Sequence, residues 1–274
     1  MAENEIVIIG GLGKTGARVA ARLRGKGVTV RSASRSTSPS FDWTDRSSWI
    51  AALAGAKTAY VTYQPDLAVP GAADEIAALA AAAREVGIGH VVLLSGRGED
   101  GAVESEERLK ASGVVYTVLR TSWFNQNFSE GAFLDGIIAG TLSLPAGNVR
   151  EPFVDLDDVA DAAVEVLLNP VHRNKTYELT GPHLLTFADA VADIATATGR
   201  EIGYRSLPLP VFLEEMRAAG LPEDLLWLMT ELFTNTLDGR NESIHTDIED
   251  LIGRPARAFS SFAREIATTG TWRV

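Results

Sequence analysis

An apolar run that breaks into regularly spaced glycines stands near the start of the chain and limits the folds open to it. Residues 6–16 read IVIIGGLGKTG, with glycines at positions 10, 13 and 16 among others. Such an Ile/Val run is typical of a strand buried on both faces of a parallel sheet. The glycines allow a tight turn, and a helix predicted from Lys14 would offer free N–H groups and its positive dipole end to a phosphate. Strand, turn and helix together predict a dinucleotide-binding site.

The turn admits two other interpretations. Residues 13–15, GKT, resemble the end of an ATPase phosphate-binding loop, but that motif needs glycine at position 8, where Ile8 stands. The strands predicted later end in residues 62–63 and 94–95, without the Asp that such enzymes use for Mg²⁺. In the third interpretation the glycines only allow a helix to pack on a sheet. The dinucleotide interpretation is favoured over both.

Composition argues against several classes of protein. The chain has 274 residues, 46% of them hydrophobic, so it can bury a full core, and its net charge of −11 argues against general nucleic-acid binding. It has no cysteine, which excludes disulfides and thiolate chemistry, and its four histidines lack metal-ligand spacing, so no metal site is predicted. No run of about 18 uncharged apolar residues is present, so no membrane association is expected. Because the first residues show no signal sequence, a cytoplasmic location is expected.

The first half of the chain alternates between strand-like and helix-like segments. Strands are predicted over residues 5–9, 28–34, 57–63, 89–95 and 114–119, and helices over residues 14–25, 46–54, 72–87 and 102–112. A further short strand is predicted just before residues 41–43. This alternation predicts an α/β fold with a doubly wound parallel sheet, in which ligands bind beyond the carboxyl ends of the strands.

After about residue 120 the alternation stops. A segment rich in aromatic and amide side chains, TSWFNQNFSEGAF, covers residues 121–133, and a strand over 176–180 and a helix from about Thr186 follow later. We predict a Rossmann core over residues 1–120. Residues 121–274 are predicted to complete the sheet and to form a smaller, mostly helical substrate-binding part of the same compact unit.

The end of the second strand bears on the choice of cofactor. An acidic residue that would bind the ribose hydroxyls of NAD is absent here until Asp42. Arg35, with Ser34 and Ser36 beside it, is instead suited to a 2′-phosphate, or else is a solvated loop residue. Asp42 fits a contact to the adenine amino group and a turn or N-cap role equally well.

Three aspartates, Asp155, Asp157 and Asp158, precede a helix with clear apolar periodicity. A role in metal binding or acid–base chemistry is conceivable from their residue type alone. Capping of the helix is the favoured interpretation, because acidic residues are common at helix N-termini.

Taken together, these segments resemble the NmrA-like branch of the atypical short-chain dehydrogenases/reductases. The resemblance rests on GGLGKTG, the Ala-Ser-Arg end of the second strand, FDWTD, YTVLRTSWFNQNF, PFVDLDDVADAAVEVL, YELTGP and IGRPARAFSSFARE. It covers nearly the whole chain. Within the branch, the chain is most similar to ergot-alkaloid (agroclavine/festuclavine) dehydrogenases and, more distantly, to bacterial quinone reductases and azoreductases.

The resemblance implies a Rossmann fold, NADP(H) as cofactor, and a substrate cleft between the nucleotide domain and the C-terminal part. The implied cofactor contacts, with those predicted at the strand ends, are Gly10, Gly11, Leu12, Gly13, Lys14, Thr15, Gly16, Ser34, Arg35, Ser36, Asp42, Thr62, Tyr63, Gln64, Ser95 and Gly96. Tyr63, Trp123, Phe124 and Asn127 are the implied substrate contacts; for the last three, core packing is the alternative.

Ordinary short-chain dehydrogenases carry an acid–base pair of Tyr and Lys four residues apart on one helix face, and this chain lacks it. None of its five tyrosines is followed by Lys four residues later, and only Lys110 is present in the helix before YTVLR. Hydride transfer to an imine or iminium, a quinone or an enone depends less on an acid than ketone reduction does. Tyr63 and Ser95 are the candidates for a proton donor.

We therefore expect an NADPH-dependent reductase of a small, hydrophobic, conjugated or iminium-type electrophile. The alternative is a non-catalytic NADP(H)-binding redox sensor of the NmrA type, which the missing acid–base pair allows equally. The aromatic and amide segment favours the enzyme, because it suggests a second ligand. The sequence leaves the oligomeric state open, a homodimer included.

Overall fold

The computed structural model describes residues 5–273, which form two compact units. The first unit contains the described residues up to Thr121 together with Leu156–Leu179 and Asp247–Arg254. The second contains Ser122–Asp155, Thr180–Thr246 and the described residues from Pro255 onward. Two segments from the second half of the chain therefore belong to the first unit.

The first unit is built on a parallel sheet of six strands. In spatial order these are β2 (Val30–Ala33), β1 (Ile6–Ile9), β3 (Thr58–Val61), β4 (His90–Gly96), β5 (Tyr116–Thr121) and β8 (Lys175–Leu179). Every pair of neighbours is parallel. The order reverses direction at β1, so the carboxyl ends of β1 and β3 lie at the switch point where such sheets bind ligands. The predicted doubly wound α/β fold is confirmed.

Helices cover both faces of this sheet. They are α1 (Lys14–Gly25), α2 (Trp49–Leu53), α3 (Ala72–Glu85), α4 (Asp100–Ala111), α6 (Leu156–Leu168) and α10 (Asp247–Ile252). Side chains that alternate along the strands, such as Val7 and Ile9, are buried with α2, α3 and α4, while α1 and α6 pack on each other against the opposite face. Apart from one short strand, the predicted helices and strands of the first half are confirmed to within a few residues.

One predicted strand is wrong. Residues 34–48 contain no strand before Phe41, and the segment turns instead through an isolated bridge between Asp42 and Asp45. The indole Nε1 of Trp49 donates to the Asp42 carbonyl at 2.7 Å, and the Phe41 and Trp49 rings stack at 5.7 Å. Aromatic packing beneath the segment, rather than a ladder of backbone hydrogen bonds, holds it in place.

The second unit has an aromatic core enclosed by short elements. They are α5 (Leu134–Ile138), β6 (Thr141–Leu144), β7 (Arg150–Glu151), β9 (Leu185–Thr186), α7 (Phe187–Thr198), β10 (Gly203–Ser206), α8 (Leu209–Ala218), α9 (Glu223–Glu231) and α11 (Phe259–Thr269). β6 pairs with β10 and β7 with β9, in two small sheets. Phe128 and Phe187 are fully buried in the core. The predicted helix from Thr186 is confirmed, and Thr186 and Asp189 cap it reciprocally.

Helix length and hydropathy also bear on membrane association. Among residues 5–273, no helix is both long enough and apolar enough to cross a bilayer.

Candidate dinucleotide site

The glycine turn connects β1 to α1 with no room for a side chain at Gly10, Gly11 or Gly16. Gly10 has φ +75°, and its N–H donates to the Ala33 carbonyl at 3.0 Å. A Cβ atom at Gly10 would overlap the Thr62 hydroxyl, which itself donates to the Ile9 carbonyl at 3.0 Å. A Cβ atom at Gly16 would overlap the Gly10 carbonyl oxygen. The turn therefore lies tightly against both β3 and the first turn of α1.

The N-terminus of α1 is left open to a ligand. Its N-cap residue is Gly13, which has no side chain to bind the first N–H groups, and its first turn contains no acidic residue. Lys14 is exposed, whereas Thr15 and Gly16 are buried. Uncapped N–H groups and the positive end of the helix dipole form an anion site. The local geometry thus fits the diphosphate of a dinucleotide.

Beyond β2, two serine hydroxyls flank an exposed arginine. The Ser34 and Ser36 Oγ atoms are 3.2 Å apart, and the turn is closed by the Thr37 hydroxyl, which accepts from the Ser34 N–H at 2.9 Å. The Arg35 side chain is exposed and forms no hydrogen bond or ion pair within residues 5–273. This arrangement is suited to a phosphate, which a guanidinium and hydroxyls bind by charge-assisted hydrogen bonds.

Asp42 has the turn role that was one of its two predicted roles. Its Oδ1 accepts from the Thr44 N–H and from the Thr44 hydroxyl, each at 2.9 Å. These hydrogen bonds, with the charge of Arg35 as a lesser cause, lower the pKa of Asp42. Contact with an adenine stays a prediction.

Tyr63 follows β3 and lies against Trp43, with ring centroids 4.7 Å apart. The side chain is half-buried, and burial, followed by the nearby charge of Glu75, raises its pKa. The phenol therefore keeps its proton at neutral pH. Gln64, the next residue, is exposed.

Ser95, the other candidate proton donor, is hydrogen-bonded inside the protein. Its hydroxyl donates to Glu106 Oε1 at 2.7 Å, and Ser95 is only 3% exposed. Glu106 is fully buried and receives three hydrogen bonds from the Arg120 guanidinium, at 2.7 Å, 2.9 Å and 3.1 Å, which reach both carboxylate oxygens. Arg120 also donates to Glu178 at 3.0 Å, and Arg97 donates to the same carboxylate.

This buried ionic network lies where β4, β5 and β8 end, and sequence reasoning missed it. Glu106 stands in the charged stretch ESEERLK of α4, where a buried glutamate has the same sequence signature as a solvated one. Lys110, the lysine of this helix, lies 2.8 Å from Glu107 and 3.7 Å from Glu106. Lys110 and Ser95 therefore both contact Glu106, the buried carboxylate of this network.

Of the predicted substrate residues, Tyr63 lies in the first unit, and Trp123, Phe124 and Asn127 lie in the second. Trp123 is half-buried and touches the rings of Phe133, Phe187 and Phe233, with centroids 5.7–5.9 Å apart. Phe124 and Asn127 are also half-buried. Trp123 therefore takes part in core packing, and the substrate role of these three residues stays a prediction.

Asn125 lies between Phe124 and Asn127 in the sequence, and no role was predicted for it. It is fully buried, and neither atom of its side-chain amide has a hydrogen-bond partner among the described residues.

Of the three aspartates, Asp155 precedes α6, whereas Asp157 and Asp158 lie in its first turn, and all three form ion pairs with arginines. Asp157 lies 2.8 Å from Arg22, and Asp158 lies 2.7 Å from Arg254, both within the first unit. In the second unit, Asp155 accepts from the Gln126 amide at 2.8 Å. Their predicted capping role stays a prediction. Within residues 5–273 no group of His, Asp and Glu side chains could hold a metal ion.

Comparison with known proteins identifies relatives along nearly the whole chain. The uncharacterized oxidoreductase YesF of Bacillus subtilis is 30% identical over 96% of this chain and 95% of its own. Festuclavine dehydrogenase of Aspergillus fumigatus is 30% identical over 95% of this chain and 97% of its own. No family model matches the sequence. In structure, the NADPH-dependent quinone oxidoreductase of Escherichia coli complexed with NADPH has a TM-score of 0.77 at 22% identity, covering 95% of this chain and 99% of that one.

The parallel sheet, its glycine turn and the uncapped N-terminus of α1 fit a Rossmann-type dinucleotide site. The relatives show the class of protein, an oxidoreductase dependent on NAD(P)H. The chain belongs to the NmrA-like branch of the atypical short-chain dehydrogenases/reductases. The predictions of fold, family and enzyme class are confirmed.

Proposed function

We propose that the protein is an NADPH-dependent reductase that transfers a hydride to a small, hydrophobic, conjugated or iminium-type electrophile. The observation that carries the proposal is the anion site of the first unit: the glycine turn, the uncapped N-terminus of α1, and Arg35 between two serine hydroxyls. The first two would hold the diphosphate, and Arg35 with Ser34 and Ser36 would hold the 2′-phosphate. Arg35 thus favours NADPH over NADH.

The absence of a Tyr/Lys pair supports the choice of acceptor. The cofactor supplies the hydride, and the chain's own residues bind and orient the two reactants. Ser95 donates its hydrogen bond to Glu106, so Tyr63 is the better proposed proton donor where the acceptor needs a proton. An iminium takes up hydride without one. The names of the relatives agree with this range of acceptors, since they include a festuclavine dehydrogenase and a quinone oxidoreductase.

Substrate contacts are proposed for Tyr63, Trp123, Phe124 and Asn127. The aromatic rings would offer flat apolar surface to a conjugated acceptor, and the amide a hydrogen bond. Location in the cytoplasm and a hydrophobic small-molecule partner belong to the same proposal.

The test is NADPH oxidation, followed at the absorbance band of the reduced cofactor, with a panel of quinones, cyclic iminium ions, enones and simple ketones. We expect turnover with at least one of the first three classes and little with ketones, together with a preference for NADPH over NADH. Efficient reduction of simple ketones would contradict the proposed acceptor class. Tight NADPH binding without turnover on any acceptor would favour the redox-sensor alternative.

A further inference from the structure

A second guanidinium approaches the glycine turn, from the helix that follows it. Arg24 stands in the last turn of α1 and is exposed. Its Nη2 atom donates to the Ser32 hydroxyl on β2, at 3.2 Å. Side chains of an α-helix lean toward the helix N-terminus, so the guanidinium of Arg24 extends back along α1 in the direction of the turn.

Ser32 is the residue at which Arg24 and the turn come together. A Cβ atom at Gly11 would lie 2.7 Å from the Ser32 Cβ and 2.8 Å from its Oγ. The hydroxyl that accepts from Arg24 is therefore in contact with the turn that would bind the diphosphate. Ser32 is the third of the four residues of β2, and Arg35 comes two residues after the strand. Arg24 and Arg35 thus both lie at the carboxyl half of β2, one reaching it from α1 and one in the loop beyond.

The charge of Arg24 is not neutralised by a carboxylate. Within residues 13–36, Arg18, Arg22 and Arg31 form ion pairs with aspartates or a glutamate. The cations of this segment that form no ion pair in the described part of the chain are Lys14, Arg24, Lys26 and Arg35. In a chain with a net charge of −11, cations left without carboxylates beside a phosphate site favour an anionic ligand.

The hydrogen bond to Ser32 leaves Arg24 available to such a ligand. It joins the guanidinium to a neutral hydroxyl, and its 3.2 Å is at the long end of the usual range. A phosphate offers an opposite charge and two acceptor oxygens for the planar fork of the guanidinium. A phosphate within reach would therefore displace the hydroxyl.

We propose that Arg24 is a second residue that selects the phosphorylated cofactor, and that it binds the 2′-phosphate together with Arg35. The inference rests on the proposed function, in which Arg35, Ser34 and Ser36 hold that phosphate. Two guanidiniums on separate elements then share one dianion, which a single exposed arginine would hold less tightly. The other role open to Arg24 is to stabilise the C-terminal end of the α1 dipole. The two roles differ in what they predict for cofactor binding.

The test measures dissociation constants for NADPH and NADH with the wild type and with Arg24→Met. It is done at about pH 8, where the 2′-phosphate is almost fully ionised because its second pKa is about 6. In Arg24→Met we expect the dissociation constant for NADPH to rise about tenfold, the effect of one lost charge-assisted contact. The constant for NADH, which lacks the 2′-phosphate, should stay the same. Arg24→Lys keeps the charge without the planar fork and should bind NADPH with intermediate affinity.

Lys26→Met is the matched control. Lys26 is the C-cap residue of α1, two positions beyond Arg24, and is likewise exposed and without an ion pair among the described residues. Its replacement removes the same charge from the same end of the helix. Both dissociation constants should therefore remain at their wild-type values, which separates contact with the phosphate from a general effect of net charge.

Each outcome has one interpretation. If Arg24→Met keeps the wild-type preference for NADPH, if NADH weakens in parallel, or if Lys26→Met weakens NADPH equally, the role of Arg24 is overturned while the proposed function stands. A lower melting temperature of Arg24→Met with an unchanged preference would assign Arg24 to the helix dipole alone. If the wild type binds NADPH and NADH equally, the 2′-phosphate site of the proposed function fails, and this inference with it. Should Arg24→Met not fold, Arg24→Gln, which keeps a donor for Ser32, gives the same comparison.

Discussion

Gly16 lies directly against the carbonyl oxygen of Gly10, so that a Cβ atom at Gly16 would overlap that oxygen. The first turn of α1 thereby sits on the turn that leaves β1, and the uncapped N–H groups of the helix lie next to that turn. A dinucleotide site of this kind depends on backbone approach more than on side chains.

Replacement of Gly16 by Ala should therefore push α1 away from the turn. We expect the free energy of unfolding in urea to fall by about 1–3 kcal/mol, the usual cost of overpacking, and the dissociation constant for NADPH to rise. Gly25→Ala is the control in the same helix, because nothing lies within 4 Å of a Cβ atom there. It should leave NADPH affinity unchanged and alter stability by less than about 1 kcal/mol. Equal effects of the two variants would contradict this account of the turn.

Arg35→Asp should reverse the preference for the phosphorylated cofactor. One charge-assisted contact is worth about 1.5–3 kcal/mol, so the ratio of kcat/KM for NADPH to that for NADH should fall about 10- to 100-fold. Steady-state kinetics with both cofactors measure the ratio. Arg108→Asp, at a side chain 51% exposed on α4, makes the same change of charge and should leave it unaltered. An unchanged ratio in Arg35→Asp would remove Arg35 from the 2′-phosphate site.

Much of the first unit could be predicted because its signals are local. Hydrophobic runs and glycine turns mark β1, α1 and the strands that follow, and each depends only on neighbours in sequence. Where a strand was predicted, Phe41 instead packs on Trp49. This is a tertiary contact, and the hydrophobic periodicity of the sequence cannot predict it. The same holds for Glu106 on α4: its buried carboxylate is paired with Arg120, 14 residues away on β5.

Tyr63→Phe tests the role of the phenol proton. For a quinone or an enone, which must gain a proton, we expect kcat to fall about 100-fold, a typical contribution of general acid catalysis. With an iminium acceptor kcat should be unchanged, and so should the dissociation constant for NADPH, since the ring that packs on Trp43 is kept. Tyr116→Phe, at a partly buried tyrosine on β5, is the control. An equal loss with all acceptors would indicate a role in positioning instead.

Arg120→Met should strongly destabilise the first unit. Glu106 is fully buried and is held by the Arg120 guanidinium, and hydrogen bonding to Glu106 is the main cause of the raised pKa of Arg120. Removal of one partner from a buried pair costs about 3–5 kcal/mol, measurable as a lower free energy of unfolding in urea. The double variant Arg120→Met/Glu106→Gln should recover part of the loss. Arg108→Met, an exposed control, should change stability by less than about 0.5 kcal/mol. A similar small effect of Arg120→Met would show that the network contributes little.

His90 should make the protein sensitive to acid. Burial, with the charge of Arg173 as a second cause, lowers the pKa of His90 from 6.5 to about 4, and its Nε2 lies 2.9 Å from the Thr117 hydroxyl. Above pH 6.5 the ring is neutral in both states and contributes no pH dependence. Between pH 6.5 and 4 only the unfolded chain takes up this proton, so the free energy of unfolding should fall by about 1.4 kcal/mol per pH unit from this group.

His90→Gln keeps a hydrogen bond to Thr117 but cannot titrate. Urea denaturation measures the free energy of unfolding of the wild type and of this variant across that pH range. In the variant it should depend on pH less steeply, by the uptake of one proton, which is about 1.4 kcal/mol per pH unit. His183→Gln, at an exposed histidine, should retain the wild-type slope. If His90→Gln and the wild type lose stability in parallel, His90 is protonated in the folded state and its burial does not govern acid unfolding.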